Sequence, residues 1–357
     1  MIPTAFTRDT LVRLARSPLA PRSAARTDGK RRERARSPRA SRVTVARVSP
    51  ATPRRVIAVA SNKGGVGKTM VATNLAITLR ALDEDLPILL ITLDDQSATE
   101  RMFRIGERPA GARTLRDAFV QRSFAGCMEL GEFGVHFVPA ADDLEALKVR
   151  AAEPLSLKRM LDASGWQGLV ILDTKSDLEA LTRSALAACD LAILPVADRT
   201  SLEEAGRAFE LLGQHGGRRG RGRVLFTLVD RRTKLDAEGK DLFERLAEKA
   251  EARGWPRFTT FLSRSPRVEA LISGRKRPRS ILHEARGTLV QKQLRELAEE
   301  VRKLLALGEE HETVAQPAAT ESDRRQAARS PASAHPSPPR SLATDLRSAL
   351  FRGLRGR

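Results

Sequence analysis

Short apolar, often β-branched runs recur along the middle of the chain, at Val56–Ala60, Ile88–Leu93, Val135–Val138, Leu169–Leu172, Leu191–Val196, Val224–Val229 and Phe258–Leu262. Most are apolar at nearly every position rather than at alternate ones, the pattern of a strand covered on both faces. Between them, apolar residues fall at helical spacing: Leu75, Leu79 and Leu82; Leu178, Leu181 and Leu186; Leu202, Ala205, Phe209 and Leu212. A last helix is predicted over 288–307, carrying Leu289, Leu294, Leu297, Val301, Leu304 and Leu305. Strands alternating with helices predict an α/β fold: a mostly parallel central sheet with helices on both faces. One domain over 56–310 accounts for every element, and no internal repeat is visible.

The ends have a different texture. Residues 1–55 and 311–340 are rich in Arg, Ser, Ala and Pro and poor in large apolar side chains, so both are expected to be disordered. Of the formal net charge of +19, the arm 1–55 carries +12, from 15 Lys/Arg against Asp9, Asp28 and Glu33. Residues 311–357 carry +4, leaving only +3 on the predicted domain. A basic arm suits either a polyanionic partner or a solubilising role. In 341–357, Leu342, Leu346, Leu350 and Leu354 recur every fourth residue and cover about 120° of a helical face. That basic amphipathic tip suits an anionic membrane or a partner protein.

Composition excludes several classes. No run of about 18 apolar residues exists to span a bilayer. The first twenty residues mix arginines with apolar side chains and do not read as a secretory leader. Cys127 and Cys189 form no CxxC pair, which argues against a disulfide framework or a self-contained zinc site.

The chemistry begins where the first predicted strand ends. Lys63-Gly64-Gly65-Val66-Gly67-Lys68-Thr69 joins that strand to a helix opening near Met70. Such a glycine-rich turn lets backbone N–H groups converge on phosphate oxygens at a helix N-terminus. Lys68 is placed to reach the terminal phosphates, and the Thr69 hydroxyl to bind Mg²⁺. The pattern is GxxxxGK[ST] with Asn62 in place of the first glycine. Lys63, five residues before Lys68, sits too far back to serve the same phosphate from the same side.

This KGGVGKT run resembles the deviant Walker A motif of the ParA/MinD ATPases. The resemblance implies a P-loop fold, ATP and Mg²⁺ as cofactors, and a homodimer formed on ATP binding. Lys63 would then reach the neighbouring subunit's nucleotide. Ile91-Thr92-Leu93-Asp94-Asp95-Gln96 is similar to the family's I-D-L-D-P-Q, which gives Asp94 the role of positioning the attacking water near the metal. Thr92 and Asp95 depart from that pattern. Four apolar residues ending in Asp173 match the Walker B strand, with Asp173 on the Mg²⁺ side. The family continues with Cys or Thr and then proline. Here Thr174 fits, while Lys175 and Ser176 do not.

Leu194-Pro195-Val196 and the run from Phe226 through Asp230 to Leu235 extend the likeness to the ParA branch, placing Thr227 and Asp230 beside the adenine. Phe261-Leu262-Ser263-Arg264-Ser265-Pro266-Arg267 resembles the ParA segment I-P-R-N-V-R, whose arginines hold DNA. Arg264 and Arg267, with Arg218, Arg219, Arg275, Lys276 and Arg277, are therefore the candidate contacts to duplex DNA, bound without sequence preference. With aromatics at 4% and no tyrosine, single-strand stacking is disfavoured.

The resemblance thus implies a cytoplasmic, nucleoid-associated ATPase that positions or segregates cargo with a ParB-like adaptor. Two alternatives stay open: an ATP-dependent dimerisation switch with little hydrolysis, and a MinD-like ATPase on a membrane surface. Related reductases with dimer-axis cysteine pairs and kinases with tyrosine-rich tails fit poorly.

Overall fold

Strand residues that point to opposite faces of a sheet must find two separate interiors, and here they do. The computed structural model describes residues 53–307 apart from 95–97, 142, 144–146, 148–152, 215–217, 231, 233–234 and 274–276. Seven strands form one sheet: β1 (Arg55–Val59), β2 (Ile88–Leu93), β3 (Glu129–Leu130), β4 (His136–Phe137), β5 (Leu169–Thr174), β6 (Leu191–Val196) and β7 (Gly222–Phe226). Their order is β3-β4-β2-β5-β1-β6-β7, all parallel except the β3–β4 pair at one edge.

The helices are α1 (Lys68–Leu82), α2 (Ala98–Phe103), α3 (Leu115–Gln121), α4 (Ser156–Ser164), α5 (Ala180–Ala188), α6 (Arg199–Gln214), α7 (Leu242–Ala252), α8 (Pro266–Ser273), α9 (Ile281–Glu284) and α10 (Leu289–Leu305). On one face Val56, Ala58, Leu89, Ile91, Val170 and Leu172 meet α3 to α7. On the other, Ile57, Val59, Ile88, Leu90, Leu169 and Ile171 meet α1 and α8 to α10. Helix α1 is buried along most of its length. The buried Asn74 amide donates to the Met70 carbonyl (3.0 Å) and accepts the Ile281 N–H (2.8 Å), tying α1 to the start of α9.

Several predicted elements come out differently. Phe258–Leu262 is not a ladder strand. Its Phe258 and Leu262 N–H groups donate to the Val224 and Phe226 carbonyls of β7, but between them the Thr259 and Thr260 N–H groups are taken by the Glu300 carboxylate of α10. The run at Val224–Val229 stops as a strand at Phe226, since Leu228 has left-handed backbone (φ 55°). Leu178 precedes α5 rather than lying within it, and Leu289 and Leu304 are exposed on α10. Arg55 opens β1, so the last residue assigned to the arm belongs to the sheet. Residues 1–52 of the arm and the segments 311–340 and 341–357 lie outside the described residues.

Candidate functional site

The parallel sheet brings the C-terminal ends of β1, β2, β5, β6 and β7 to one rim, where α/β proteins of this kind place their ligands. The loop between β1 and α1 turns through Gly65 (φ 75°) and Gly67 (φ 90°), conformations that favour glycine. Gly67 caps α1 without a side-chain bond, leaving the first-turn N–H groups for a ligand. The loop is braced from behind: the buried Thr227 hydroxyl donates to the Val66 carbonyl at 2.8 Å. Thr227, read from sequence as an adenine neighbour, is thus also a brace for the P-loop. Asn62, the departure from the glycine pattern, donates to Glu204 of α6 at 2.6 Å.

Both lysines are held. Lys68 is only 6% exposed and donates to the Lys63 carbonyl (3.0 Å) and the Ser176 hydroxyl (2.7 Å). Burial lowers its pKa, against the attraction of Asp173, Asp94 and Asp177. The Lys63 ammonium pairs with Asp198 of its own chain, just before α6, at 2.5 Å. Burial works against the Asp198 charge, but Lys63 and the Ser201 N–H together hold its carboxyl below the usual range.

Asp173, at the end of β5, is fully buried, and neither of its oxygens meets a hydrogen-bond partner among the described residues. Burial, helped by the nearby Asp94 charge, pushes its carboxyl up to about 7, against the Thr69 hydroxyl and Lys68. With only the Thr69 hydroxyl and the Lys68 charge near it, a carboxylate buried this deeply is costly unless a further cation joins it. Thr69 and Asp94 line the neighbouring cleft, and Asp173 lies buried behind that lining. Among the described residues no three His, Cys, Asp or Glu side chains converge into a metal cage. One hydroxyl, one or two carboxylates and phosphate oxygens suit Mg²⁺, which binds through few protein ligands. The residues fit the ion.

This makes a stability prediction. The raised value means the folded chain favours protonated Asp173. That contribution is full below its unfolded value near 3.8 and is lost as pH rises through about 7. Thermal and denaturant unfolding without metal or nucleotide should show wild type losing about 3 kcal/mol relative to Asp173→Asn between pH 5 and pH 8. Parallel pH profiles would refute it.

From the loop the cleft widens to about 1030 Å³, walled on the far side by Val196, Phe226, Val229, Leu242, Phe243 and Leu246. Phe243 packs edge-on to Phe226 at 5.3 Å and tilted against Phe261 at 4.9 Å. An apolar wall with aromatic backing is suited to a planar base. Asp230 lines it too, with its carboxylate accepting from the Arg232 N–H and guanidinium, each at 3.0 Å. The α7 wall, Asp198 and the Ser176 contact were missed from sequence. The only signal for Ser176 was its departure from the family pattern.

The candidate DNA contacts separate. Arg264 is exposed, pairs with Glu269 at 3.1 Å and stands on the rim of the cleft itself. Arg267 is exposed near the start of α8 and donates to the Glu284 carbonyl at 2.7 Å. Arg277 is exposed, but its guanidinium is already engaged. Its guanidinium donates to the Arg101, Met102 and Arg104 carbonyls at 2.7 to 3.0 Å and pairs with Glu132. It therefore caps the C-terminal end of α2, and a phosphate backbone would have to compete with these contacts. Arg275, Lys276 and the side chains of Arg218 and Arg219 lie outside the described residues.

A family model described as an AAA domain matches residues 54–207. The chain is 36% identical over 188 residues to the chromosome-partitioning ATPase Soj of Thermus thermophilus, covering 51% of this chain and 72% of Soj. It is 32% identical over 155 residues to the chromosome partitioning protein ParA of Caulobacter vibrioides, covering 41% of this chain and 57% of that protein. A similar fold occurs in cobyrinic acid a,c-diamide synthase from Mycobacterium smegmatis, solved with a bound ATP analogue and magnesium. That likeness has a TM-score of 0.55 and 20% identity, and covers 71% of this chain and 97% of that one. With a buried P-loop lysine, a second lysine ahead of it and an acid closing β5, the chain belongs to the ParA/MinD family of P-loop ATPases, close to its ParA/Soj branch.

Proposed function

We propose that this chain binds ATP with Mg²⁺, dimerises around two such nucleotides and hydrolyses them to position or segregate a cargo. The observation that carries the reading is the pairing of a pre-set phosphate cradle with the unpartnered, buried Asp173. The loop amides and α1 N-terminus bind phosphate oxygens, Lys68 bridges the terminal phosphates, and Thr69 and Asp173 hold the metal side. Magnesium held there by Thr69 and Asp173 would supply positive charge against the phosphates. Asp94 accepts a hydrogen bond from the attacking water and orients it. Lys63 has to leave Asp198 to reach a second copy's nucleotide, so dimerisation exchanges an intramolecular ion pair for an intermolecular one.

In this reading the dimer holds duplex DNA through exposed arginines, Arg267 foremost, and a ParB-like adaptor triggers hydrolysis and release. Soj and ParA are named for chromosome partitioning, which supports a cargo of that kind. A nucleoid-associated location follows from DNA binding, and among the described residues no helix is long and apolar enough to cross a membrane. The second reading, an ATP-gated dimerisation switch with little turnover, is favoured by Lys175 and Ser176 standing where the family continues with proline.

The test is duplex binding by the full chain at several salt concentrations, with ATP, ADP or no nucleotide, and light scattering in parallel. Binding should appear with ATP, rise with dimer formation and fall steeply with salt. Arg267→Glu should weaken it about tenfold or more while leaving the ATP dimer intact. A monomer at saturating ATP and magnesium, or binding indifferent to nucleotide, would overturn the proposal.

A further inference from the structure

We propose that Ser176 is a specificity-determining residue that reads the γ-phosphate: its hydroxyl donates to that group and favours a triphosphate over a diphosphate. The inference rests on the reading of the cleft as an ATP site. Ser176 stands three residues beyond Asp173, on the turn leaving β5, and it is exposed at the cleft. Its Oγ accepts from the Lys68 ammonium at 2.7 Å. A serine hydroxyl has one proton as well as its lone pairs, and accepting from Lys68 leaves that proton to be donated. Among the described residues the hydroxyl has no acceptor.

Position decides which phosphate it would meet. Loop amides and the α1 N-terminus serve the phosphates nearer the nucleoside, whereas Lys68 extends to the terminal ones. Ser176 approaches that ammonium from β5, the side where Asp173 marks the metal. The P-loop backbone lies close alongside, since a Cβ placed on Gly64 would be 3.7 Å from Ser176 Oγ. On this placement the γ-phosphate is the group that would come within the hydroxyl's reach. The family pattern continues with proline after the residue matching Thr174, and a prolyl ring offers no proton. In this chain Lys175 stands at that position, and Ser176 beyond it brings a hydroxyl donor to the same turn.

The experiment uses the intact chain with Mg²⁺ and two fluorescent probes, mant-ADP and a non-hydrolysable mant-ATP analogue. Ser176→Ala should weaken the triphosphate probe about tenfold and the diphosphate probe less than twofold, as expected for one hydrogen bond to a charged acceptor. Ser176→Thr, which keeps the hydroxyl, should restore the wild-type ratio of affinities. Equal losses for both probes, no loss for either, or failure of threonine to restore the ratio would overturn the inference. Wild type binding neither probe would instead bring down the ATP reading of the cleft, and this inference with it.

Discussion

Lys68→Ala protein will bind neither ATP nor ADP measurably, and will form no ATP-dependent dimer. The Lys68 ammonium is nearly inaccessible and already carries a desolvation cost, seen in its lowered pKa. Two of its three protons are spent on the Lys63 carbonyl and Ser176. The third is left for a phosphate oxygen of the proposed nucleotide. Deleting one partner of a buried charged contact costs about 3–5 kcal/mol, and leaves phosphate charge facing Asp94 and Asp173 uncompensated. Calorimetric affinity should fall by on the order of 10³-fold. Lys68→Arg should fail as well, because a planar fork does not reproduce a compact ammonium held between a carbonyl and a hydroxyl. Retention of affinity within tenfold of wild type would show that the cradle alone suffices and that Lys68 is misassigned.

The second large effect belongs to Asp94, and it has the opposite form: binding survives and turnover does not. Asp94 closes β2 two strands from β1, lines the cleft, and its charge is felt at both Lys68 and Asp173. Removing a water-orienting carboxylate typically costs 10²–10⁴ in rate. Asp94→Ala should therefore drop single-turnover phosphate release about a hundredfold or more. ATP affinity should stay within about threefold or improve, because a negative charge facing the phosphates has gone. Light scattering should then show a persistent ATP dimer. Phosphate release at the wild-type rate would remove Asp94 from the mechanism.

The central machinery is legible in the sequence because it is local. The β1–loop–α1 unit is one continuous stretch, its glycines carry the positive φ angles, and β5 announces its acid by ending an apolar run. What was not legible arrives from far along the chain. Ser176 meets Lys68 across 108 residues and Asp198 meets Lys63 across 135. No periodicity encodes such pairs. The edge strand β3 is two residues long, too short to leave a pattern, whereas β4 next to it lies inside the apolar run Val135–Val138. Phe258–Leu262 has the composition of a strand, but Glu300 diverts its N–H groups. Arg277 shows the limit of reading charge from composition: a basic run looks solvated until its guanidinium is found capping a helix.

The clasp between Asn74 and Ile281, together with the seating of α1 against α10, has a consequence for how the chain is made. The ribosome delivers the phosphate-binding helix early, yet the side chains that cover Val71, Leu75 and Leu79 emerge more than two hundred residues later. A nascent chain stalled before 281 would present that greasy flank to chaperones and proteases. Competence to hold nucleotide is thus a late event in synthesis, and half-finished copies do not compete for it.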